Sequence, residues 1–146
     1  MSRMIFVNLP VADLERSTAF YEAIGFARNP QFCDGTASCI VISETIYAML
    51  LTHEKFAQFS PLPIADARKT CQVLNCLTET SPAAIDAFVA TAEAAGARPD
   101  PSPKQDLGFM YGRSFADPDG HIWELVWMDP AVVAGETCPA AETADA

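Results

Sequence analysis

The sequence predicts an α+β fold built from two successive β-α-β-β-β modules. In each half of the chain, a short apolar stretch precedes a segment with helical spacing, and further strand-like stretches follow it. The glycines that end the two predicted helices, Gly25 and Gly96, hold the same place in each half. The closing strands also overlay, AMLLTH on IWELVW, and this overlay puts Leu50 opposite Glu124.

The first predicted module covers residues 4–52. An apolar stretch begins it, and Pro10, which has no backbone N–H, ends that stretch. Asp13 is a suitable N-cap for the helix that follows, and Gly25 stops this helix. Three strands then complete the module, at 26–33, 39–43 and 46–52.

The second predicted module covers residues 71–128 and repeats this order. A linker at 53–70 precedes it, opening with a helical turn and continuing with the proline-broken segment SPLPIAD. A strand at 71–77 leads to a helix that Ser81 caps. The remaining strands are predicted at 97–100, 109–115 and 121–128, the last two forming a hairpin around a DPDG turn.

Both modules and the linker are predicted to form a single domain, residues 1–130. The chain has 146 residues, and single domains typically have roughly 100–200. Residues 131–146 are rich in Ala, Pro and Glu with few large apolar side chains, so we expect them to form a disordered acidic tail.

The charge of the chain restricts its partners. The formal net charge is −10, which repels phosphate backbones and anionic lipid, so we expect no nucleic-acid and no membrane partner. A neutral or cationic small molecule fits this charge better. The five cysteines have no paired or metal-binding spacing, so we expect free thiols and a cytoplasmic location.

Two motifs resemble those of a known superfamily. VxDLERSxxFYExxGF at 11–26 and FxDPDGHxWEL at 115–125 are similar to motifs of the vicinal-oxygen-chelate superfamily, which includes glyoxalase I, fosfomycin-resistance enzymes, extradiol dioxygenases and bleomycin-resistance proteins. The resemblance covers nearly the whole chain. It implies that the two sheets curl into a glyoxalase-like cup, usually completed by a second copy of the chain, so we expect a homodimer.

The resemblance also identifies four positions that hold a divalent metal in enzymes of this superfamily. Mapped by motif, these positions are Phe6, Leu50, Gln72 and Glu124. Phe6 and Leu50 cannot bind a metal, and a catalytic metal usually needs three good anionic or imidazole ligands. We therefore predict no metal and no other cofactor. The alternative is zinc, nickel, iron or manganese held by Glu124 and Gln72, with His53 swung inward by a bend in the chain.

Glu124 is the one candidate catalytic residue, and two interpretations of it stay open. It is a polar anchor or general base at the floor of the cup, or it forms an internal ion pair. If the hairpin pairs Phe115 with Ile122, then Arg113 lies opposite Glu124. Tyr111 and Arg113 share one strand face, which either lines the cup as an aromatic wall with one cation or packs under the helices.

The preferred functional hypothesis is a small-molecule-binding protein without a catalytic metal, of the glyoxalase and bleomycin-resistance type. Its alternative is a divalent-metal-dependent lyase or transferase resembling glyoxalase I, and a third hypothesis is an interaction module with a vestigial pocket. The sequence does not decide whether the protein is an enzyme. The predicted ligand-binding residues are Phe6, Asn8, Leu50, Gln72, Leu74, Tyr111, Arg113 and Val126.

Overall fold

The computed structural model describes residues 2–135. In chain order its elements are β1 (Ile5–Val11), α1 (Leu14–Ala23), β2 (Ala27–Arg28), a 3₁₀ turn (Pro30–Phe32), β3 (Ala37–Val41), β4 (Ile46–Thr52), α2 (His53–Phe59), β5 (Asn75–Thr78), α3 (Pro82–Ala94), β6 (Arg98–Pro99), β7 (Gln105–Asp106), β8 (Met110–Ala116), β9 (Ile122–Met128) and α4 (Pro130–Val133).

The strands form two sheets of related topology, which confirms the predicted α+β class. The N-terminal sheet has the strand order β1-β4-β3-β2, and the C-terminal sheet has the order β5-β9-β8-β6, with β7 also paired to β8. In each sheet the first strand of the module lies parallel to the last, while the hairpin strands are antiparallel. A helix connects the first strand to the rest in both modules, as a parallel pairing requires.

Both long helices begin and end at the predicted residues. The Asp13 carboxylate accepts a hydrogen bond from a backbone N–H in the first turn of α1, and the Ser81 hydroxyl does the same for α3. Gly25 and Gly96 follow the helix ends with φ of 106° and 112°. L-residues rarely adopt this region, so glycine is favoured at both positions.

The two modules share one hydrophobic core. The ring of Tyr21 in α1 lies 6.2 Å from that of Trp123 in β9, and Phe20 lies 6.2 Å from Phe115 in β8. Fully burying a side chain of this size contributes roughly 1.5–3 kcal/mol. Each sheet therefore has a covered face, which packs on the helices in this core, and an open face on its other side.

The DPDG turn joins the two modules through buried polar groups. The Asp117 carboxylate accepts a hydrogen bond from the Tyr21 hydroxyl (2.6 Å), which in turn accepts one from the indole N–H of Trp123 (2.9 Å). Asp119 accepts from the backbone N–H of Ala12 (2.9 Å). An imidazole nitrogen of His121 lies 2.7 Å from the carbonyl oxygen of Pro10, another contact between modules.

The linker lies against the same turn. The Arg68 guanidinium donates to the carbonyl of Pro118 (2.6 Å). Gly120 has a φ of 98°, and a Cβ at this position would lie 2.9 Å from the carbonyl carbon of Ala67. Two features therefore require glycine at this position: the positive φ of its backbone and the close approach of the linker backbone.

Several strands differ from their predicted bounds. The strand predicted at 26–33 is only β2, because Pro30 lacks an N–H and the Asn29 side chain starts the 3₁₀ turn. The strand predicted at 71–77 begins only at Asn75, where pairing with β9 begins. A further short strand, β7, lies between the strands predicted at 97–100 and 109–115.

The C-terminal end of the described chain is helical. The predicted tail opens with α4, and residues 136–146, including Cys138, lie outside the described residues. Within 2–135, no helix has the length and apolar character needed to cross a membrane.

Candidate ligand-binding faces

The open face of the C-terminal sheet carries Glu124 at its centre. Strand register places Ser114 on one side of Glu124 and Cys76 on the other. Residues directly opposite each other in paired strands point to the same face. These three side chains therefore form one polar row, and they line a pocket of about 240 Å³.

Arg113 does not pair with Glu124, although the sequence would place them opposite each other if Phe115 paired with Ile122. The hairpin pairs Ala116 with Ile122, so Arg113 lies opposite Leu125 on the covered face. Its guanidinium binds Asp100 (2.7 Å) and Asp86 (3.0 Å) instead. Within the described chain Glu124 has no ion-pair partner.

Tyr111 shares the covered face with Arg113. Its hydroxyl donates to Asp86 (2.6 Å), and its ring lies under the Lys104 ammonium at 5.2 Å. Of the two alternatives for this strand face, packing under a helix is the observed one. Tyr111 and the Arg113 guanidinium thus tie α3 and the following loop to β8 rather than forming a wall of the open face.

Cys76 lies beside Glu124 on the neighbouring parallel strand. Partial burial raises the pKa of its thiol, and the negative charge of Glu124 raises it further. A thiol needs a lowered pKa to act as a nucleophile near neutral pH. The position therefore suits a neutral polar contact better than covalent chemistry.

The open face of the N-terminal sheet is aromatic and apolar. The rings of Phe6 and Tyr47 stack with centroids 4.6 Å apart and an interplanar angle of 11°, and Phe6 remains 44% exposed. Asn8 and Met49 form the next cross-strand pair along this face. The helix α2 lies at the end of the face, where Asn8, Leu51, Phe56, Phe59 and Ser60 line a cavity of about 620 Å³.

The cross-strand pairs of the two hairpins align the modules residue by residue, which the sequence does not. Val41 pairs with Tyr47 and Ala116 pairs with Ile122, each pair separated by six positions (47 − 41 = 6; 122 − 116 = 6). Overlaying these pairs makes Met49, not Leu50, the counterpart of Glu124.

Leu50 is therefore a core residue and not part of the open face. It is fully buried, as is Leu125, its counterpart in the second module. The predicted overlay was wrong by one residue, which moves a side chain to the opposite face of a strand. The parallel neighbours of Met49 and Glu124 are Asn8 and Cys76, so these four residues occupy equivalent places in the two modules.

Gln72 and Leu74, both predicted to bind the ligand, lie outside the polar row of Cys76, Glu124 and Ser114. Both precede β5 in a segment without strand pairing. Gln72 lines a separate cavity of about 330 Å³ beneath the linker, together with mainly apolar side chains. Val126, in contrast, lies on the open face beyond Glu124, and it lines the same pocket.

The four equivalent residues do not fit a catalytic divalent metal. They offer an amide, a thioether, a thiol and one carboxylate, whereas zinc, nickel, iron and manganese sites use imidazole, thiolate and carboxylate ligands. In residues 2–135, no group of three or more His, Cys, Asp or Glu side chains is arranged to hold a metal ion. His53 begins α2 and lines a cavity with Asp66 and His121, a different place from the Glu124 pocket.

The sequence interpretation missed several side chains of the two open faces: Tyr47, Met49, Cys76 and Ser114. Met49 has apolar neighbours on both sides in the sequence, so alternation does not distinguish the faces of β4. The signal that identifies it is the equal spacing within the two hairpins, which becomes visible once one cross-strand pair in each is known.

Comparison with known proteins agrees with this architecture. Residues 3–43 match a family model described as bleomycin resistance protein-like N-terminal. No curated protein matches the chain. The hypothetical protein SA1046 from S. aureus is 28% identical with a TM-score of 0.73, and the match covers 87% of this chain and 95% of that one.

Two further solved structures share the fold at lower identity. A glyoxalase/bleomycin resistance protein/dioxygenase family enzyme from Burkholderia phytofirmans PsJN is 20% identical with a TM-score of 0.70, covering 87% of this chain and 99% of its own. TnmS3, an antibiotic binding protein from Streptomyces sp. CB03234, is 19% identical with a TM-score of 0.59, covering 88% and 97%. By its N-terminal match and its fold, the chain is similar to glyoxalase- and bleomycin-resistance-like proteins, in agreement with the resemblance of its two motifs to the vicinal-oxygen-chelate superfamily.

Proposed function

We propose that this protein binds a small, largely apolar molecule on the open faces of its sheets, without a catalytic metal. The observation that carries the proposal is the composition of the two faces. The N-terminal face presents the stacked rings of Phe6 and Tyr47 beside Met49. The C-terminal face presents one carboxylate, Glu124, in a pocket of about 240 Å³. Ligand pockets typically combine apolar walls with a few orienting polar groups.

A second copy of this chain completes the pocket in this proposal. The covered faces of both sheets pack in one core, so each open face forms only one wall of a pocket. Phe6 on one face and Met128 on the other are 44% and 43% exposed. Exposed apolar patches often mark a contact with another molecule. Bringing the N-terminal face of one copy to the C-terminal face of another covers both.

Glu124 orients the ligand in this proposal, with Ser114 beside it and Asn8 on the opposite wall. The Asn8 amide makes only a 3.4 Å hydrogen bond to the Phe6 carbonyl, so its polar atoms remain available. Glu124 is also the candidate general base if the protein is an enzyme. The alternative, a metal-dependent lyase or transferase, is less favoured, because Asn8, Met49 and Cys76 around Glu124 do not form a suitable ligand set for a catalytic metal.

The relatives support ligand binding as the general function. One structure of the same fold is described as an antibiotic binding protein, and the matching family model is described by bleomycin resistance. Binding a compound and keeping it from its target needs no reaction. A cytoplasmic location belongs to the same proposal, because Cys33 and Cys39 are free thiols.

The proposal is tested with a neutral fluorescent probe, N-phenyl-1-naphthylamine. We expect the wild type to bind it, and Phe6→Ala to raise the Kd by about tenfold, since removing a buried aromatic contact costs roughly 1.5–3 kcal/mol. Phe32→Ala is the matched control, because Phe32 is 56% exposed in the 3₁₀ turn. Equal effects of both substitutions, or no binding to the wild type, contradict the proposal.

A further inference from the structure

Three cations surround a cavity beside the open face of the C-terminal sheet. Arg68, Lys69 and Arg98 line this cavity, whose volume is about 450 Å³. The whole chain has nine Lys and Arg residues and a net charge of −10. A third of its cations thus lie around one cavity of an acidic protein.

These cations are not neutralised by neighbouring carboxylates. The ion pairs within residues 2–135 are made by Arg16, Arg28 and Arg113. The Arg68 guanidinium donates one hydrogen bond, to the carbonyl of Pro118, and its other N–H groups remain free to bind a ligand.

Among the described residues that line the cavity, Asp117 is the acidic one, and Asp66 lies next to the lining residues Ala67 and Arg68 in the linker. Asp117 borders it, but one carboxylate oxygen accepts from Tyr21 and the other accepts two backbone N–H groups. Asp66 accepts from the backbone N–H of Arg68 and so shapes the linker turn. Neither carboxylate forms an ion pair with the three cations.

Strand register connects the cavity to the Glu124 pocket. Arg98 pairs with Ala116, which pairs with Ile122, so these three residues form a row on the open face. Glu124 lies two positions further along β9, a distance of about 7 Å at 3.3 Å per residue. A molecule of drug-like size spans both positions.

We propose that the cavity binds the anionic group of an amphiphilic ligand whose apolar body lies on the open faces. The group is a carboxylate, sulfonate or phosphate, recognised by Arg68, Lys69 and Arg98. The inference rests on the proposed function and specifies its ligand class.

Net charge alone favours a neutral or cationic ligand, but local charge dominates at contact distance. Exposed charges are screened over about 8–10 Å at physiological salt, so the three lining cations outweigh the remote acidic surface.

Two probes that differ only in an anionic group test the proposal. They are 8-anilinonaphthalene-1-sulfonate and its neutral analogue N-phenyl-1-naphthylamine, each titrated by fluorescence. We expect the sulfonate to bind about tenfold more tightly than the neutral analogue, the ratio that one favourable charge interaction of moderate strength supplies. Raising the salt concentration should weaken binding of the sulfonate probe and leave binding of the neutral probe unchanged.

The variant Lys69→Gln/Arg98→Gln removes two of the cations, and Arg3→Gln/Arg28→Gln is its control. Both change the net charge from −10 to −12 (−10 − 2 = −12), and Arg3 and Arg28 lie outside the cavity. We expect the first variant to weaken sulfonate binding about tenfold while leaving the neutral probe unaffected, and the control to change neither.

The possible results separate the two proposals. Equal affinity for both probes, or equal loss of sulfonate binding in both variants, overturns the anion site and leaves the proposed function standing. Failure of the wild type to bind either probe overturns both.

Discussion

Tyr21 and Asp117, one from each signature motif, form a buried hydrogen bond. Burial first, and then the neighbouring Asp117 carboxylate, raise the pKa of Tyr21 well above its ordinary value, so the phenol stays a hydrogen-bond donor. Burial likewise raises the pKa of Asp117. The motifs that carry the resemblance to the superfamily thus explain how the modules join, and they lie apart from the Glu124 pocket.

Replacing Tyr21 by Phe should destabilise the protein by about 1–3 kcal/mol, because the Trp123 indole N–H and an Asp117 oxygen then lose a buried partner. The free energy of unfolding in urea measures the effect. Tyr47→Phe is the control, since its hydroxyl bonds the Glu44 carbonyl at an exposed position. A Tyr21 effect no larger than the Tyr47 effect would show that the network contributes nothing.

Gly120 shows how a single residue positions the linker. Gly120→Ala should destabilise the protein by about 1–3 kcal/mol, because its positive φ is strained for alanine and the new Cβ meets the Ala67 backbone. Gly35→Ala is the matched control, as nothing lies within 4 Å of its Cβ position and its φ is not in the strained region. Similar unfolding midpoints for the two variants would contradict this account.

Sequence patterns identify faces well only where polar and apolar residues alternate. In β9 the single carboxylate, between Trp123 and Leu125, distinguishes the two faces of the strand, and Glu124 lies on the open one. In β4, Met49 and Leu50 are both apolar, so alternation leaves the face undecided. The residue opposite Arg113 depends on whether Phe115 or Ala116 pairs with Ile122 at the DPDG turn. The sequence does not distinguish these two registers.

Arg113 connects β8 to helix α3 through Asp86 and to the segment after β6 through Asp100. Its guanidinium holds the pKa of Asp100 below the usual range, and hydrogen bonds from Tyr111 and then Arg113 do the same for Asp86. Both carboxylates therefore stay ionised to lower pH in the folded state than in the unfolded one. Their contribution is present above the unfolded pKa and is lost as pH falls through the folded pKa.

Arg113→Met should therefore destabilise the protein in a pH-dependent way. We expect a loss of about 1–2 kcal/mol at pH 7, kept modest by solvent screening of these partly exposed groups. The difference from wild type should shrink as pH falls below about 4, the unfolded pKa of Asp. Urea unfolding at pH 7 and at a pH below about 4 measures the difference in the free energy of unfolding. Arg28→Met, which breaks an exposed ion pair, is the control. A pH-independent difference would assign the effect to packing instead.

The fold was predictable at element scale where local chemistry is strong. Caps at Asp13 and Ser81 and glycines at Gly25 and Gly96 identify both helices without tertiary information. The start of β5 was not predictable, because residues 71–74 have the same apolar character as the strand and only the extent of pairing with β9 excludes them.

In the whole molecule each sheet leaves one face open, and in the proposed function each open face forms one wall of the ligand pocket. If a second copy closes the pocket, Met49→Lys should produce a monomer, because it places a charge in the apolar face. Sedimentation velocity measures the mass, with Phe32→Lys as a control outside the face. A wild-type monomer, or a Met49→Lys dimer as stable as wild type, would contradict closure by a second copy.

The donor set of Asn8, Met49, Cys76 and Glu124 supports ligand binding without a metal. The most direct test is the Kd for N-phenyl-1-naphthylamine of protein dialysed against EDTA, compared with the same protein supplied with zinc, nickel, iron or manganese. We expect the same Kd in every case and no metal retained in stoichiometric amount. Binding that EDTA abolishes and one metal restores, with one tightly held ion per chain, would contradict it.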